Sequence, residues 1–387
     1  MTGVPFTDVA AMTGEVWPAI EHEYMECLLS GRYIGGSPVE SFERAWARYC
    51  GTEHAVGVAN GTSALQLTLT ALGIGPGDEV IVPSNTFIAT AAAVVHAGAT
   101  PRFADVSDET LLLTPSRLRA AITASTRAVI VVHLYGQVPD MTGLAAVAQE
   151  RGLVLIEDAA QAHGAQWAGR PAGSLSAAAC FSFYPGKNLG AFGDAGAVVT
   201  GRADVADRVR ALANHGRVDG HAHYEHQYAG FNSRLDALQA IALAGKLELI
   251  EGWTERRIAL AARYAGQLRG LDLTLVGVDP RARHVYHLFV VRVGQRARVQ
   301  AELGQRGIQT GVHYPVPCHQ QPPLRRYAHG PLPVAERAAG EVLSLPLFPH
   351  MTDGQVDAVC EALADAVGHR PADARTLVPS AGGTDHG

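Results

Sequence analysis

The chain has 387 residues, 47% of them hydrophobic and 18% charged, with a formal net charge of −6 and a pI near 6.3. This balance belongs to a globular protein of two or three domains and excludes a disordered chain. It argues against nucleic acid or an anionic membrane as a partner.

The first residues, MTGVPFTDVAAMTGEVW, lack the basic start and apolar core of a signal peptide. Residues 1–30 read as an N-terminal helical segment with a helix around Trp17–Leu29, followed by a Gly-rich turn (31–38) and a second helix (39–50). From 54 to 200, seven short apolar runs alternate with Ala/Leu-rich helical stretches: HAVGVA, EVIVPS, TPRFADV, AVIVVHLYG, LVLIEDAA, ACFSFYP and GAVVT. Runs without polar alternation, separated by helices, predict an α/β fold with a mainly parallel seven-stranded sheet covered on both faces. Ligands of such sheets sit beyond the carboxyl ends of the strands. The most apolar stretch, Phe87 to Ala99, is too short to cross a membrane and contains His96.

A long helical segment linking the two domains is expected from Ser233 to Gly270, then a strand over 284–293 and a Pro-rich loop over 313–323. The expected division is a large domain at 31–245, a smaller α/β domain at 246–370 and a disordered tail at 371–387. Five scattered cysteines (Cys27, Cys50, Cys180, Cys318, Cys360), with no CxxC or His/Cys cluster, point to free thiols, a cytoplasmic location and no metal site.

Of the 31 Lys and Arg residues only Lys187 and Lys246 are lysines. Arginine stays protonated, so a surviving lysine is a candidate for chemistry that needs a neutral amine. Lys187 follows a buried-type strand in FSFYPGKNLG, where desolvation would lower its pKa and allow a Schiff base; a surface-loop lysine is the plainer alternative. Lys246 lies in the helical ALQAIALAGKLELI and reads as salt-bridged or snorkelling, replaceable by arginine.

Asp158 ends the strand of EDAAQAHG. It could hold a proton on a pyridine nitrogen, or simply cap the next helix. Gln161 could bond a phenolic oxygen of such a ring, and His163 reads as a core histidine. The helix start in ANGTSALQLTL, with Thr62 and Ser63, is suited to an anion or to ordinary capping by Asn60 or Thr62. Ser182 could add a phosphate ligand. Phe87 could stack on a planar ring or pack in the core. Asn232, in AGFNSRLDALQA, could cap the following helix.

Together, in this order, HAVGVANGTSAL, GDEVIVPSNTFIATAAAV, HLYGQVPDM, EDAAQAHGA, FSFYPGKNLGAFGDAGAVVT, NHGR, NSRLDALQA and HYPVPCH resemble the DegT/DnrJ/EryC1/StrS family of pyridoxal-phosphate sugar aminotransferases over about residues 30–370. The resemblance implies the fold type I (aspartate-aminotransferase) architecture and a homodimer with its active site at the subunit interface. It makes Lys187 the Schiff-base lysine, Asp158 the pyridine-nitrogen partner and Gln161 the ring-oxygen contact. Gly61, Thr62 and Ser182 become phosphate ligands and Phe87 the stacking aromatic. Asn232 becomes a phosphate ligand reaching across from the other subunit. Tyr184, His215, His313 and Tyr314 fall in segments near the substrate, and Tyr33 more remotely.

One branch of the family carries His in place of the lysine and dehydrates sugars; Lys187 disfavours that. Another branch, the aminohydroxybenzoate synthases, commonly has His where this chain has Gln161. The motifs are most similar to the branch that aminates C3 of nucleotide-linked 3-keto-deoxyhexoses, with glutamate as donor. C4 transaminases carry a GYNYRMT-type sequence where this chain has GFNSRLD. A C4 or cyclitol aminotransferase is the alternative, ahead of a dehydratase or a non-catalytic PLP-binding regulator.

Overall fold

The computed structural model describes residues 3–218 and 224–368; the expected tail at 371–387 lies outside the described residues. Helix α1 (Val9–Ser30) starts earlier than the apolar pattern suggests, because the Asp8 carboxylate accepts from Ala11 N at 2.8 Å and caps it. Helix α2 (Ser37–Cys50) buries Phe42 and Trp46, one turn apart on the same face. Both pack in a cluster with Phe181 and Phe183. Side chains of this size each contribute about 1.5–3 kcal/mol when fully buried.

The alternating stretch then runs β1 (His54–Val58), α3 (Gly61–Ala71), β2 (Glu79–Pro83), α4 (Ile88–His96), β3 (Thr100–Ala104), α5 (Pro115–Ala121), β4 (Thr126–Val132), α6 (Met141–Arg151) and β5 (Val154–Asp158). The short strands β6 (Gln166–Trp167) and β7 (Arg170–Pro171) follow. Next come β8 (Ala178–Ser182), β9 (Gly196–Thr200), α7 (Ala203–Ala213), α8 (Ala237–Leu247) and α9 (Ile250–Gln267). The chain continues through β10 (Leu273–Leu275), β11 (Ala282–Arg283), β12 (Phe289–Val293), α10 (Arg296–Gln305), α11 (Pro333–Glu341), β13 (Val342–Leu345) and α12 (Asp353–Val367).

The seven predicted runs are the seven strands of one sheet, ordered β1-β9-β8-β5-β4-β2-β3. Only β9 runs against its neighbours. Val80, Ile81, Val82, Val129 and Ile130 are fully buried, as strands covered on both faces require. A second, antiparallel sheet has the order β10-β12-β13. Its core joins Val291, Leu343 and Leu345 to Leu260 and Tyr264 of α9 and Leu363 of α12.

Two expectations are corrected. The helical segment expected over 233–270 starts at Ala237 and is divided into two helices at Glu248 and Leu249. No Gly or Pro marks the break. It follows from tertiary packing, since α8 lies against α1 and α2 while α9 lies against α12. The strand expected over 284–293 begins only at Phe289. Tyr286 stands at φ 45° with its ring stacked on His284, and a left-handed residue interrupts a strand.

Candidate active site

The carboxyl ends of β1, β2, β5 and β8 open onto one cavity of about 840 Å³. Its lining includes Gly61, Thr62, Phe87, Asp158, Gln161, Ser182, Tyr184, Lys187, His313 and Tyr314, so ten of the thirteen site residues named from sequence meet here. The pleat of β5 decides which acid faces it. Asp158 lines the cavity. Its neighbour Glu157 is fully buried, accepting from His133 Nε2 at 2.8 Å, Gly173 N at 2.9 Å and both Leu175 N and Ser176 Oγ at 3.0 Å.

Lys187 sits in a tight turn after β8. Its N–H donates to Tyr184 O at 2.8 Å, and Ala191 N donates to Phe183 O at 2.8 Å. Burial pulls the Lys187 amine down to about 8, against the opposing pull of Asp158. About a tenth of it is therefore neutral at pH 7, far more than of an unperturbed lysine. Asp158 is 6% exposed, and Oδ2 accepts from Thr90 Oγ1 at 2.7 Å while Oδ1 accepts from Ala160 N at 3.2 Å. Burial raises its pKa, and the Thr90 and Ala160 bonds, Lys187 and His133 oppose the rise. Asp158 thus does not cap a following helix; it is held by two donors at the edge of the cavity.

The start of α3 faces the same space. Asn60 is the cap, accepting from Ser63 N at 2.8 Å, which leaves the Thr62 and Ser63 hydroxyls on the cavity wall. A Cβ on Gly61 would lie 2.7 Å from the Ser182 Cβ, so only glycine lets the helix start close onto β8. Phe87 caps α4 without a side-chain bond and is 53% exposed, a poor core residue but a free ring at the mouth. Its ring lies 5.6 Å from that of Tyr314. Gln161 bridges the two halves of the site: Oε1 accepts from Tyr135 N at 2.6 Å, and Nε2 donates to Tyr314 Oη at 3.1 Å. His163 is the core residue expected. It is fully buried among Trp46, Phe181 and Phe183, bonds Ser182 O at 2.9 Å and is pulled down to about 3 by burial.

The far wall comes from the second sheet and α9. His313 bonds Ser344 Oγ at 2.9 Å and stacks on Phe6, 5.9 Å between centroids; burial pulls it down to about 4. His287 bonds Asn188 Oδ1 at 3.3 Å. Arg257 reaches this wall from α9.

His215 and Asn232 are not brought into the cavity by this chain. Asn214 and Asn232 form a β-bridge, and His215 N donates to Phe231 O at 2.8 Å, so both residues are tied to one segment outside the lining. Tyr33 is outside it too, its hydroxyl donating to Leu28 O at 2.9 Å. The reading of Lys246 is corrected. It is fully buried, neither salt-bridged nor snorkelling: Nζ donates to Gly190 O at 2.7 Å and lies 4.6 Å from the centroid of the Phe192 ring. Gln239, two turns earlier on α8, accepts from Phe192 N at 2.8 Å, so α8 grips the segment after Lys187 at two points. Thr90, Asn188, Arg257, His287, Phe6 and Thr7 belong to the site and were not singled out from sequence. Thr90 and Asn188 sit inside quoted motifs, whereas Arg257 has no local signal in an arginine-rich chain.

A neutralisable amine, a buried carboxylate, a helix start backed by hydroxyls and a free aromatic ring fit pyridoxal phosphate. Lys187 would hold its aldehyde carbon, Asp158 its ring nitrogen, the Gly61–Ser63 turn and Ser182 its phosphate, and Phe87 its ring face. The comparisons agree with this fit. The model of the DegT/DnrJ/EryC1/StrS aminotransferase family matches residues 18–364. A dTDP-3-amino-3,4,6-trideoxy-alpha-D-glucose transaminase of Streptomyces venezuelae is 47% identical over 365 residues, covering 94% of this chain and 96% of that protein. The crystal structure of S. venezuelae DesV in complex with a ketimine intermediate superposes with a TM-score of 0.91 at 46% identity, over 94% of this chain and 98% of that one. Bacillus subtilis NtdA with its bound cofactor PMP gives a TM-score of 0.88 at 33% identity, over 95% and 85% of the two chains.

Proposed function

Since the chain belongs to the DegT/DnrJ/EryC1/StrS aminotransferase family and is a pyridoxal-phosphate-dependent transaminase of fold type I, we propose that it aminates C3 of a dTDP-linked 3-keto-6-deoxyhexose with L-glutamate as donor. The observation that carries the chemistry is Lys187, with a pKa pulled down to about 8, sharing one cavity with a buried Asp158. The sugar and its C3 position rest on the S. venezuelae transaminase and on the GFNSRLD segment.

When bound, the cofactor supplies an electron sink for the donor's α-carbon. The chain supplies the rest. Nζ of Lys187 is the base that removes the donor's α-proton and the acid that returns it. Asp158 would hold a proton on the ring nitrogen of the bound cofactor, and Thr90 fixes the carboxylate. Gln161 and Tyr314 orient the ring side of the pocket. The keto sugar then occupies the same space, and Lys187 moves the proton in the reverse sense to give the amine.

The same reading places residues 31–245 and 246–370 in a large and a small domain. It makes the enzyme a cytoplasmic homodimer, a location that five buried free thiols support. Asn232 is exposed and lies away from its own cavity, which suits a phosphate ligand given to the partner's site. Mixing inactive Lys187→Ala and Asn232→Ala subunits should then restore activity through hybrid dimers carrying one intact site. If hybrids form and stay inactive, the shared site is rejected.

The specificity test is a panel of 3-keto and 4-keto nucleotide sugars and keto-inositols with glutamate. Amination of the 3-keto sugars supports the reading. Amination of only 4-keto sugars or inositols rejects it while leaving the transaminase intact.

A further inference from the structure

Arg257 has no task in the mechanism above, yet it lines the same cavity as Lys187. Its side chain is only 2% exposed. Nη1 donates to Leu347 O at 2.9 Å and to Tyr286 O at 3.3 Å, and Nε has no partner. Among the described residues no charged group offsets its burial. Carbonyl oxygens carry only part of a negative charge, so this guanidinium is a buried cation without a counter-ion. Such a charge is costly unless an anion pairs with it.

Its surroundings limit what that anion can be. The buried leucines Leu345 and Leu347 wall the cavity beside it. His287 lines the same cavity as Arg257 and Lys187, and burial, with the positive charges of both, holds its imidazole neutral. Burial lowers the pKa of His287 and of His313 below the usual imidazole value, so neither competes as a cation near neutral pH. A nucleoside diphosphate sugar is long, and its nucleotide end has to stay towards the mouth, where Phe87 and Tyr184 are 53% and 60% exposed. Only a small substrate carries its negative charge into the interior. The planar fork of a guanidinium matches a carboxylate with two parallel hydrogen bonds.

We propose that Arg257 is the binding residue for a carboxylate of the amino-acid donor. This rests on the transaminase reading, since it presumes a donor amino acid that loses its amine at Lys187.

The test separates the two half-reactions in the holoenzyme. Conversion of the pyridoxal form by L-glutamate and of the pyridoxamine form by the keto sugar nucleotide are each followed by absorbance, for the wild type, Arg257→Gln and Arg257→Lys. Glutarate, an unreactive dicarboxylate, is titrated calorimetrically into each holoenzyme. For Arg257→Gln the expected result is an apparent Kd for glutamate raised roughly 30-fold or more, as for loss of one partner of a buried charge pair. Glutarate affinity falls in parallel, and the sugar half-reaction stays within about threefold. Arg257→Lys should recover part of the glutamate and glutarate affinity. A glutamate half-reaction that does not change overturns the proposal. So does an equal fall in both half-reactions, which marks a purely structural arginine, or a fall confined to the sugar half-reaction, which marks a diphosphate ligand. A wild-type enzyme inactive towards every keto sugar but converted by glutamate leaves this proposal standing and rejects the sugar assignment instead.

Discussion

Lys187 and Lys246 are the chain's two lysines, and burial pulls both amines down to about 8. They nevertheless do different things. Lys187 borders a cavity and feels a carboxylate, Asp158. Lys246 is sealed in the core, with a backbone carbonyl and the face of an aromatic ring as its partners and, among the described residues, no charged one offsetting its burial. A depressed lysine pKa therefore does not identify a catalytic amine. Access to a cavity and a carboxylate positioned for the cofactor do.

The contrast predicts its own tests. The largest effect belongs to Lys187. Replacing it with Ala or with Arg should lower turnover by on the order of 10⁴-fold, because neither can carry the proton, and the Arg variant fails although the charge is kept. Next comes Thr90→Val, which removes the 2.7 Å bond to Asp158. Bonds to charged groups are worth about 1.5–3 kcal/mol, so kcat should fall roughly 10- to 100-fold with little change in melting temperature. A Thr90→Val enzyme with unchanged kcat would show that Asp158 needs no fixing.

Lys246 should answer in stability before it answers in rate. Lys246→Arg inserts extra atoms between Gly190 O and Phe192, an overpacking cost of about 1–3 kcal/mol in chemical denaturation. Lys246→Met keeps a straight chain, removes a buried charge and leaves one carbonyl unpaired, so it should cost less than Arg. The opposite order would restore the reading of Lys246 as a replaceable cation. The smallest effect is in pH dependence. The folded Lys246 loses its proton near pH 8, whereas the unfolded one holds it to about 10.4. Between those values the unfolded state binds the extra proton, so the contribution of Lys246 to stability rises with pH. Wild-type stability minus that of Lys246→Met should increase through this window.

Much of this was legible in the sequence because it is local. Each apolar run became a strand of the main sheet, and the residues just after β1, β2, β5 and β8 line the cavity, as strand ends in parallel sheets do. What was hidden depends on packing between distant segments. The break at Leu249 has no Gly or Pro to announce it. The fate of Lys246 was set by Gly190 and Phe192, more than 50 residues away, so a helical pattern could not distinguish a snorkelling lysine from a buried one. Arg257 and His287 enter the site from the far wall, and nothing in their neighbouring residues says so. His215 and Asn232 show the converse: a motif match places them near a site that their own chain does not carry them into.

The most direct measurement uses the fact that there are two lysines to choose between. The holoenzyme is reduced with borohydride, digested and mapped by mass spectrometry for the pyridoxyl group. The account predicts the label on Lys187, none on Lys246, and no label on either lysine in the Lys187→Ala protein. A label on Lys246, or an active enzyme with Lys187 unlabelled, would contradict it.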